Sequence, residues 1–165
     1  MYGVTKIKIL SLDQSTRRTG WAIFKGKEYI TSGLIDWYLE KSPDIRFTNM
    51  VKSLYDLLNT TKPDFIIFED VAYQRNIAAL ISLARLQGVL IGYAVNNDKD
   101  YFIYPASSWR SHLSFMQGRC IKRDDLKAQS IKYVKEHFGF EAEEDVAEGI
   151  CIGDAFIRTY LSDRG

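Results

Sequence analysis

Four carboxylates stand where a carboxylate is costly. Asp13 follows the apolar run Ile7-Lys8-Ile9-Leu10-Ser11-Leu12, and Glu69 follows Phe65-Ile66-Ile67-Phe68. Burying an acid beside such strands is unfavourable without a compensating partner. The plainer reading, that each marks the exit of a strand into a loop, suits one such residue better than two in one small sheet. A third acidic site, Asp145-Val146-Ala147-Glu148, enters a helical pattern. There the i and i+3 residues are separated by roughly 60° and share a face. Asp154 falls nearly opposite Asp145 and is the odd one out, while the small Ala147 and Gly149 would let this helix approach a sheet closely.

Like charges held that close repel unless a cation neutralises them. All-oxygen ligands suit hard ions such as Mg²⁺ or Mn²⁺. Two such ions about 4 Å apart can activate a water and stabilise the leaving oxygen of a phosphodiester. No His/Cys set competes, because His112 and His137 lie on unrelated segments. His137, near a helix C-terminus, reads as a residue that satisfies the helix dipole.

The elements that must position these groups follow the order β-β-β-α-β-α-β-α-α. The apolar run from Lys6 reads as a buried strand ending in Asp13, and Gly20–Phe24 and Tyr29–Leu34 complete a hairpin meander. Ser42-Pro43 opens a helix with Ile45, Met50, Leu54, Leu57 and Leu58 at helical spacing, closed by Lys62-Pro63-Asp64. Phe65–Phe68 reads as a strand covered on both faces. Ile77–Gln87 reads as a helix closed by Gly88, with an extension through Val95 left open. Tyr101–Tyr104 is the fifth strand, and Ser107–Arg119 is short and mixed. Asp124–Phe138 and Val146–Leu161 are the last helices. Trp21, Phe24, Phe65 and Phe68 read as core. Ile77, Leu80, Ile81 and Leu83 are expected on the sheet, with a surplus of apolar residues around Leu86 and Leu90 that a dimer helix or complete burial would explain.

A length of 165 residues suits one domain, read here as 1–165, with a core that needs no staples. A hydrophobic fraction of 46% and a charged fraction of 26% are globular values and exclude disorder. No apolar run is read as approaching the roughly 18 residues of a membrane span. Met1–Lys8 lacks the pattern of a signal peptide. Two cysteines, Cys120 and Cys151, are too few for a disulfide framework and fit free thiols in a reducing, cytoplasmic setting. A net charge of +1 excludes a strongly basic coat but not a polarised surface.

The motifs together resemble those of the RuvC-type Holliday junction resolvases. Asp13-Gln14-Ser15-Thr16 with Thr19-Gly20-Trp21-Ala22 is similar to their first-strand motif. Phe65–Val71 with Asn76, then Ala84–Val89, is similar to the second strand and the helix after it. Asp145–Gly149 is similar to the last-helix motif. The likeness runs from about Lys6 to Ile157 in the same order. It implies a ribonuclease H-like fold, an α/β mixed five-stranded sheet flanked by helices. It also implies a homodimer that cuts four-way DNA junctions with Mg²⁺ or Mn²⁺; cutting of other branched DNA is expected from the divergent wedge region, and two ions per site from the acidic cluster. By the same resemblance the ligands are Asp13, Glu69, Asp145 and Glu148. Bacterial members usually carry Asp where Glu148 stands. The family's aromatic wedge corresponds to Tyr73, shifted by about one position, which leaves strict junction selectivity open. The small size and divergent motifs suit a phage-borne member.

Basic residues gather between Trp109 and Lys135: Arg110, Arg119, Lys122, Arg123, Lys127, Lys132 and Lys135, diluted by Asp124, Asp125 and Glu136. They read either as a solvated helix face or as a phosphate-tracking surface. The resemblance singles out Arg110 and Lys127 as the cations that assist the transition state. Arg75 is a further phosphate candidate, and Tyr73, in the polar stretch Asp70–Asn76, can stack on a base. Asp13-Gln14-Ser15-Thr16 also resembles the phosphate loop of sugar kinases and actin-like ATPases, but a Gly-rich second loop is missing. A ribonuclease H-like nicking nuclease and a non-catalytic junction binder stay open.

Overall fold

In the computed structural model, which describes residues 6–161, β1 (Lys8–Asp13), β2 (Arg18–Lys25) and β3 (Glu28–Asp36) form the expected meander. Then come α1 (Pro43–Thr61), β4 (Phe65–Glu69), α2 (Ile77–Asn96), β5 (Asp100–Tyr104), α3 (Ala106–His112), α4 (Arg123–Phe138) and α5 (Glu144–Phe156), the last continued by a π-turn at Ile157–Leu161. The sheet order is β3-β2-β1-β4-β5. β1 pairs antiparallel with β2 and parallel with β4, and β4 pairs parallel with β5.

The sheet is covered on both faces, and strand parity sorts the cover. Leu10, Leu12, Ile66 and Phe68 point to the layer that holds Met50, Leu54 and Leu58 of α1 and Leu86, Leu90 and Tyr93 of α2. Ile9 and Ile67 point the other way, to Val134 of α4 and Ala147, Ile150 and Cys151 of α5. Side chains alternate across a strand, so Asp13 follows Ile9 and Ser11 onto the α5 side, and Glu69 follows Phe65 and Ile67 there.

Local signals explain the boundaries. Ser42 caps α1 by accepting from the Ile45 N–H, with Pro43 in the first turn and Lys62 closing the helix at φ 46°. Asn76 caps α2 by accepting from the Ala79 N–H at 3.2 Å. Asp125 accepts from the Lys122 N–H at the start of α4, and Gly139 ends it at φ 81°.

Several expectations need correction. Gly88 does not close α2; the extension through Val95 is the one observed, and the helix runs unbroken to Asn96, with nothing within 4 Å of a Cβ at Gly88 or Gly92. The start of α2 does not lie on the sheet: Ile77 is 69% exposed and Ile81 is exposed as well, while Leu80 and Leu83 are half-buried. The helix touches the core through Leu86, Leu90, Tyr93 and Ala94. α2 is also long and apolar enough, by length and composition, to cross a membrane, contrary to the sequence reading; its last turns are nevertheless packed on α1 and the sheet. Trp21 and Phe65 are partly buried, whereas Phe24 and Phe68 are fully buried. The uncertain segment after Pro105 holds the short helix α3, anchored by the buried Trp109. Both cysteines are free, Cys120 exposed and Cys151 buried. The reading of Met1–Lys8 rests largely on residues 1–5, outside the described residues.

Candidate active site

α5 reaches the sheet because two glycines let it. A Cβ at Gly20 would sit 1.7 Å from the Asp145 carbonyl oxygen, and one at Gly149 would sit 3.0 Å from the Gly20 backbone. Neither position tolerates a side chain without moving the helix. Ser11 Oγ, buried, donates to the Gly149 carbonyl at 2.7 Å and ties α5 to β1. This contact brings the acidic face of α5 over the end of β1.

There Asp13, Asp145 and Glu148 converge, with one ligand oxygen of each within 4.8 Å of the others. The longer side chain at position 148 thus still reaches the group. Burial pushes the Asp13 carboxyl well above the usual range, and the charges of Glu148, Glu69 and Asp145 push it further the same way. Asp145 is raised chiefly by burial, with Lys127 opposing and Glu148 adding.

Glu69 stands beside this trio rather than in it. Its Oε2 accepts the indole N–H of Trp109 at 2.8 Å. Burial raises its carboxyl, the Trp109 hydrogen bond opposes that rise, and Glu148 adds to it. Its backbone is clamped by Gln14, whose side-chain amide donates to the Glu69 carbonyl at 2.6 Å and accepts from the Glu69 N–H at 3.2 Å. This pair of hydrogen bonds between a β1-exit side chain and the β4 end fixes the two strand-end acids relative to each other. Arg110 lies against the Trp109 ring, 4.9 Å from its centroid, with one guanidinium nitrogen 3.8 Å from Glu148 Oε1. Its Nε is buried with no hydrogen-bond partner.

The remaining sequence candidates divide. Lys127 forms an ion pair with Glu144, one residue before Asp145, which holds its ammonium at the rim. The Lys127 ammonium is raised chiefly by that hydrogen bond. Arg119, Lys122 and Arg123 are exposed, and none makes an ion pair among the described residues. Lys132 and Lys135 are neutralised by Glu136 and Glu141. The free positive charge of the stretch is thus confined to its first half. Tyr73 is 86% exposed and Arg75 is exposed, both between β4 and α2.

Asp154 is a structural acid. Buried on α5, it accepts from the Tyr133 hydroxyl and from Arg158 Nε at 2.7 Å. His137 bonds the Tyr133 carbonyl at 3.0 Å through Nδ1, the expected helix-end role. His112 pairs with the Tyr104 hydroxyl.

The cluster fits a hard divalent cation. Its donors are all oxygen, they come within ligand reach of one another, and the half-buried Asp13 lacks a basic side chain donating to it among the described residues. A cation there would offset the burial and the mutual repulsion that together raise the Asp13 carboxyl.

Sequence reading missed Gln14 and Trp109 as parts of the site. Gln14 was within reach, since it sits inside the first-strand motif beside Asp13. Trp109 offered no signal, because nothing local links a tryptophan after a proline to an acid 40 residues earlier.

The family profile for the crossover junction endodeoxyribonuclease RuvC matches residues 9–119. The RuvC of Serratia proteamaculans is 30% identical over 102 residues, covering 59% of this chain and 58% of that one. The RuvC of Synechocystis is 26% identical with 94% of each chain covered. The chain spans a little over half the length of the curated relatives it matches first. Among solved structures, T. thermophilus RuvC in complex with a Holliday junction substrate superposes with a TM-score of 0.70 at 11% identity, covering 96% of this chain and 97% of that one. Fowlpox virus resolvase, solved with substrate Holliday junction DNA, gives 0.66 at 17% identity, covering 94% and 99%. The mixed sheet flanked by helices is the ribonuclease H-like fold.

Proposed function

Because this chain belongs to the crossover junction endodeoxyribonuclease RuvC family, we propose that it is a divalent-metal-dependent, structure-selective endonuclease acting on four-way and other branched DNA. The observation that carries this reading is the convergence of Asp13, Asp145 and Glu148 within 4.8 Å at the contact of β1 and α5. In this reading Asp13, Glu69, Asp145 and Glu148 hold the metal, two Mg²⁺ or Mn²⁺ ions. When bound, these supply Lewis acidity toward the phosphodiester oxygens and a more acidic water.

The chain's own residues supply the rest. Water adds to phosphorus, one P–O bond breaks, and the leaving oxygen ends protonated. Arg110, held between the Trp109 ring and Glu148, stabilises charge that builds on the phosphate. Lys127 does the same from the rim. Gln14 and Trp109 hold Glu69 in orientation. Arg75, Arg119, Lys122 and Arg123 track phosphates, and Tyr73 opens the junction by stacking on a base.

A four-way junction needs two symmetric cuts, and one cluster makes one cut. A two-fold dimer is therefore part of the proposal. The exposed Ile77 and Ile81 at the start of α2 support pairing along that helix. The protein acts on DNA in the cytoplasm of a bacterial or phage-infected cell.

The test is cleavage of four-way, three-way, flap and linear duplex DNA, with an RNA–DNA hybrid alongside. The proposal expects Mg²⁺- or Mn²⁺-dependent cutting of the branched substrates over the linear one. Preference for the hybrid would instead make the protein a ribonuclease H-like nicking enzyme.

A further inference from the structure

All the strand ends that carry the site open onto one edge of the sheet, and so does the segment joining β3 to α1. The register aligns Asp13 with Gly20 and Leu34, and pairs Arg18 with Asp36 two residues further toward the same end of the sheet. β3 lies two strands from β1, about 10 Å at ~4.8 Å per strand. Immediately after Asp36 come Trp37, Tyr38 and Leu39. Tyr38 is 52% exposed and Leu39 is 89% exposed. The Arg18 guanidinium lies 4.9 Å from the Tyr38 ring centroid and that of Arg17 lies 5.8 Å from it. Arg17 makes no ion pair among the described residues.

This patch is rigidly mounted. The Trp37 N–H donates to the Arg17 carbonyl at 2.7 Å, and its indole N–H donates to Ser53 Oγ at 3.0 Å. The Tyr38 N–H donates to Asp36 Oδ1 at 2.8 Å. Arg18 joins Asp36 to Glu143, two residues before Asp145, so the patch is tied to the start of α5. A fixed loop that presents an aromatic ring and a leucine to water, flanked by arginines, has the chemistry of a nucleic-acid platform. Bases stack on the ring, and cations take the backbone.

We propose that Tyr38, Leu39 and Arg17 form a strand-binding subsite in which the phenol ring stacks on a nucleobase and Arg17 takes a neighbouring phosphate. This rests on the DNA-cleavage reading above. The subsite engages the strand several nucleotides from the scissile phosphate, on the side of the site away from Tyr73. It contributes to where the strand is cut.

The test uses the full chain carrying Asp13→Asn, which binds without cutting, and a four-way junction with 2-aminopurine at successive positions beside the cut. Stacking on Tyr38 quenches the probe at one or two positions. Tyr38→Ala abolishes that quench and weakens binding about tenfold, Tyr38→Phe preserves both, and Arg17→Ala lowers affinity alone. Unchanged quench and affinity in Tyr38→Ala overturn the subsite. So does a change in sedimentation with no change in the DNA signal, which would assign the patch to a second copy of the chain. Failure of the Tyr38-intact protein to bind the junction at all overturns the parent reading instead.

Discussion

Trp109 donates its indole N–H to Glu69 Oε2 at 2.8 Å, from a ring that is wholly buried. One side chain thus joins the β4 acid to α3, and Arg110 packs on the same ring facing Glu148. Trp109→Phe keeps most of the ring and removes the donor. The expected result is a cleavage rate lowered about tenfold, the equivalent of one lost hydrogen bond to a charged group. Junction affinity should be unchanged, and the Mg²⁺ concentration for half-maximal rate should rise. Trp109→Ala should also destabilise the fold by about 3–5 kcal/mol through the cavity it leaves. Metal titrations of initial rate and thermal melts separate the two effects.

The acidic cluster makes the metal-free protein pH-sensitive. Asp13, Glu69 and Asp145 all have raised carboxyls, burial being the largest cause for each. A carboxyl raised by folding contributes stability that is fully present below its unfolded value, about 4. That stability is lost as pH rises through the raised value. Melts in chelator should therefore show Tm falling from about pH 4 toward neutrality. Saturating Mg²⁺ should restore it at neutral pH, and Asp13→Asn should flatten the slope while abolishing turnover. A metal-free Tm that climbs across the same window would contradict the repulsive cluster.

The two faces of α5 should separate activity from stability. Glu148→Gln should lower cleavage by orders of magnitude with little change in folding. Asp154→Asn should cleave normally once folded. It should cost about 1–3 kcal/mol, because it disturbs a buried acceptor shared by Tyr133 and Arg158. Chemical denaturation and single-turnover rates on the same preparations check both halves.

The cations should divide by position. Arg110→Ala and Lys127→Ala should reduce the cleavage step more than binding. Arg119→Ala, Lys122→Ala and Arg123→Ala should weaken binding and flatten its salt dependence, by about one unit of slope for each phosphate no longer neutralised. Equal, purely affinity-based effects at all of these positions would reduce Arg110 and Lys127 to backbone tracking.

Much of this architecture was legible because it rests on local patterns. Apolar runs ending in Asp13 and Glu69 marked the strands, while the face that both acids share became plain only from the two core layers. The i, i+3 spacing of Asp145 and Glu148 put them on one face of α5, and Ala147 and Gly149 signalled close approach. What escaped was non-local. The uninterrupted α2 depends on Gly88 and Gly92 being on an open side of the helix, which composition does not encode. The offset of Glu69 toward Trp109 depends on where α3 docks. The neutralisation of Lys135 depends on Glu141, which lies beyond the end of α4 where helical periodicity no longer gives the distance, whereas the Lys132–Glu136 pair is an i,i+4 contact within the helix.

Digestion of a supercoiled plasmid bearing a cruciform, with nicked and linear products followed over time, tests the central claim most directly. A two-fold dimer with one cluster per chain should yield linear plasmid by paired nicks across the junction, within the lifetime of one complex, in Mg²⁺ or Mn²⁺. Chelator or Glu148→Gln should give none. Uncut cruciform in both metals, or linear product that persists in excess chelator, would contradict it.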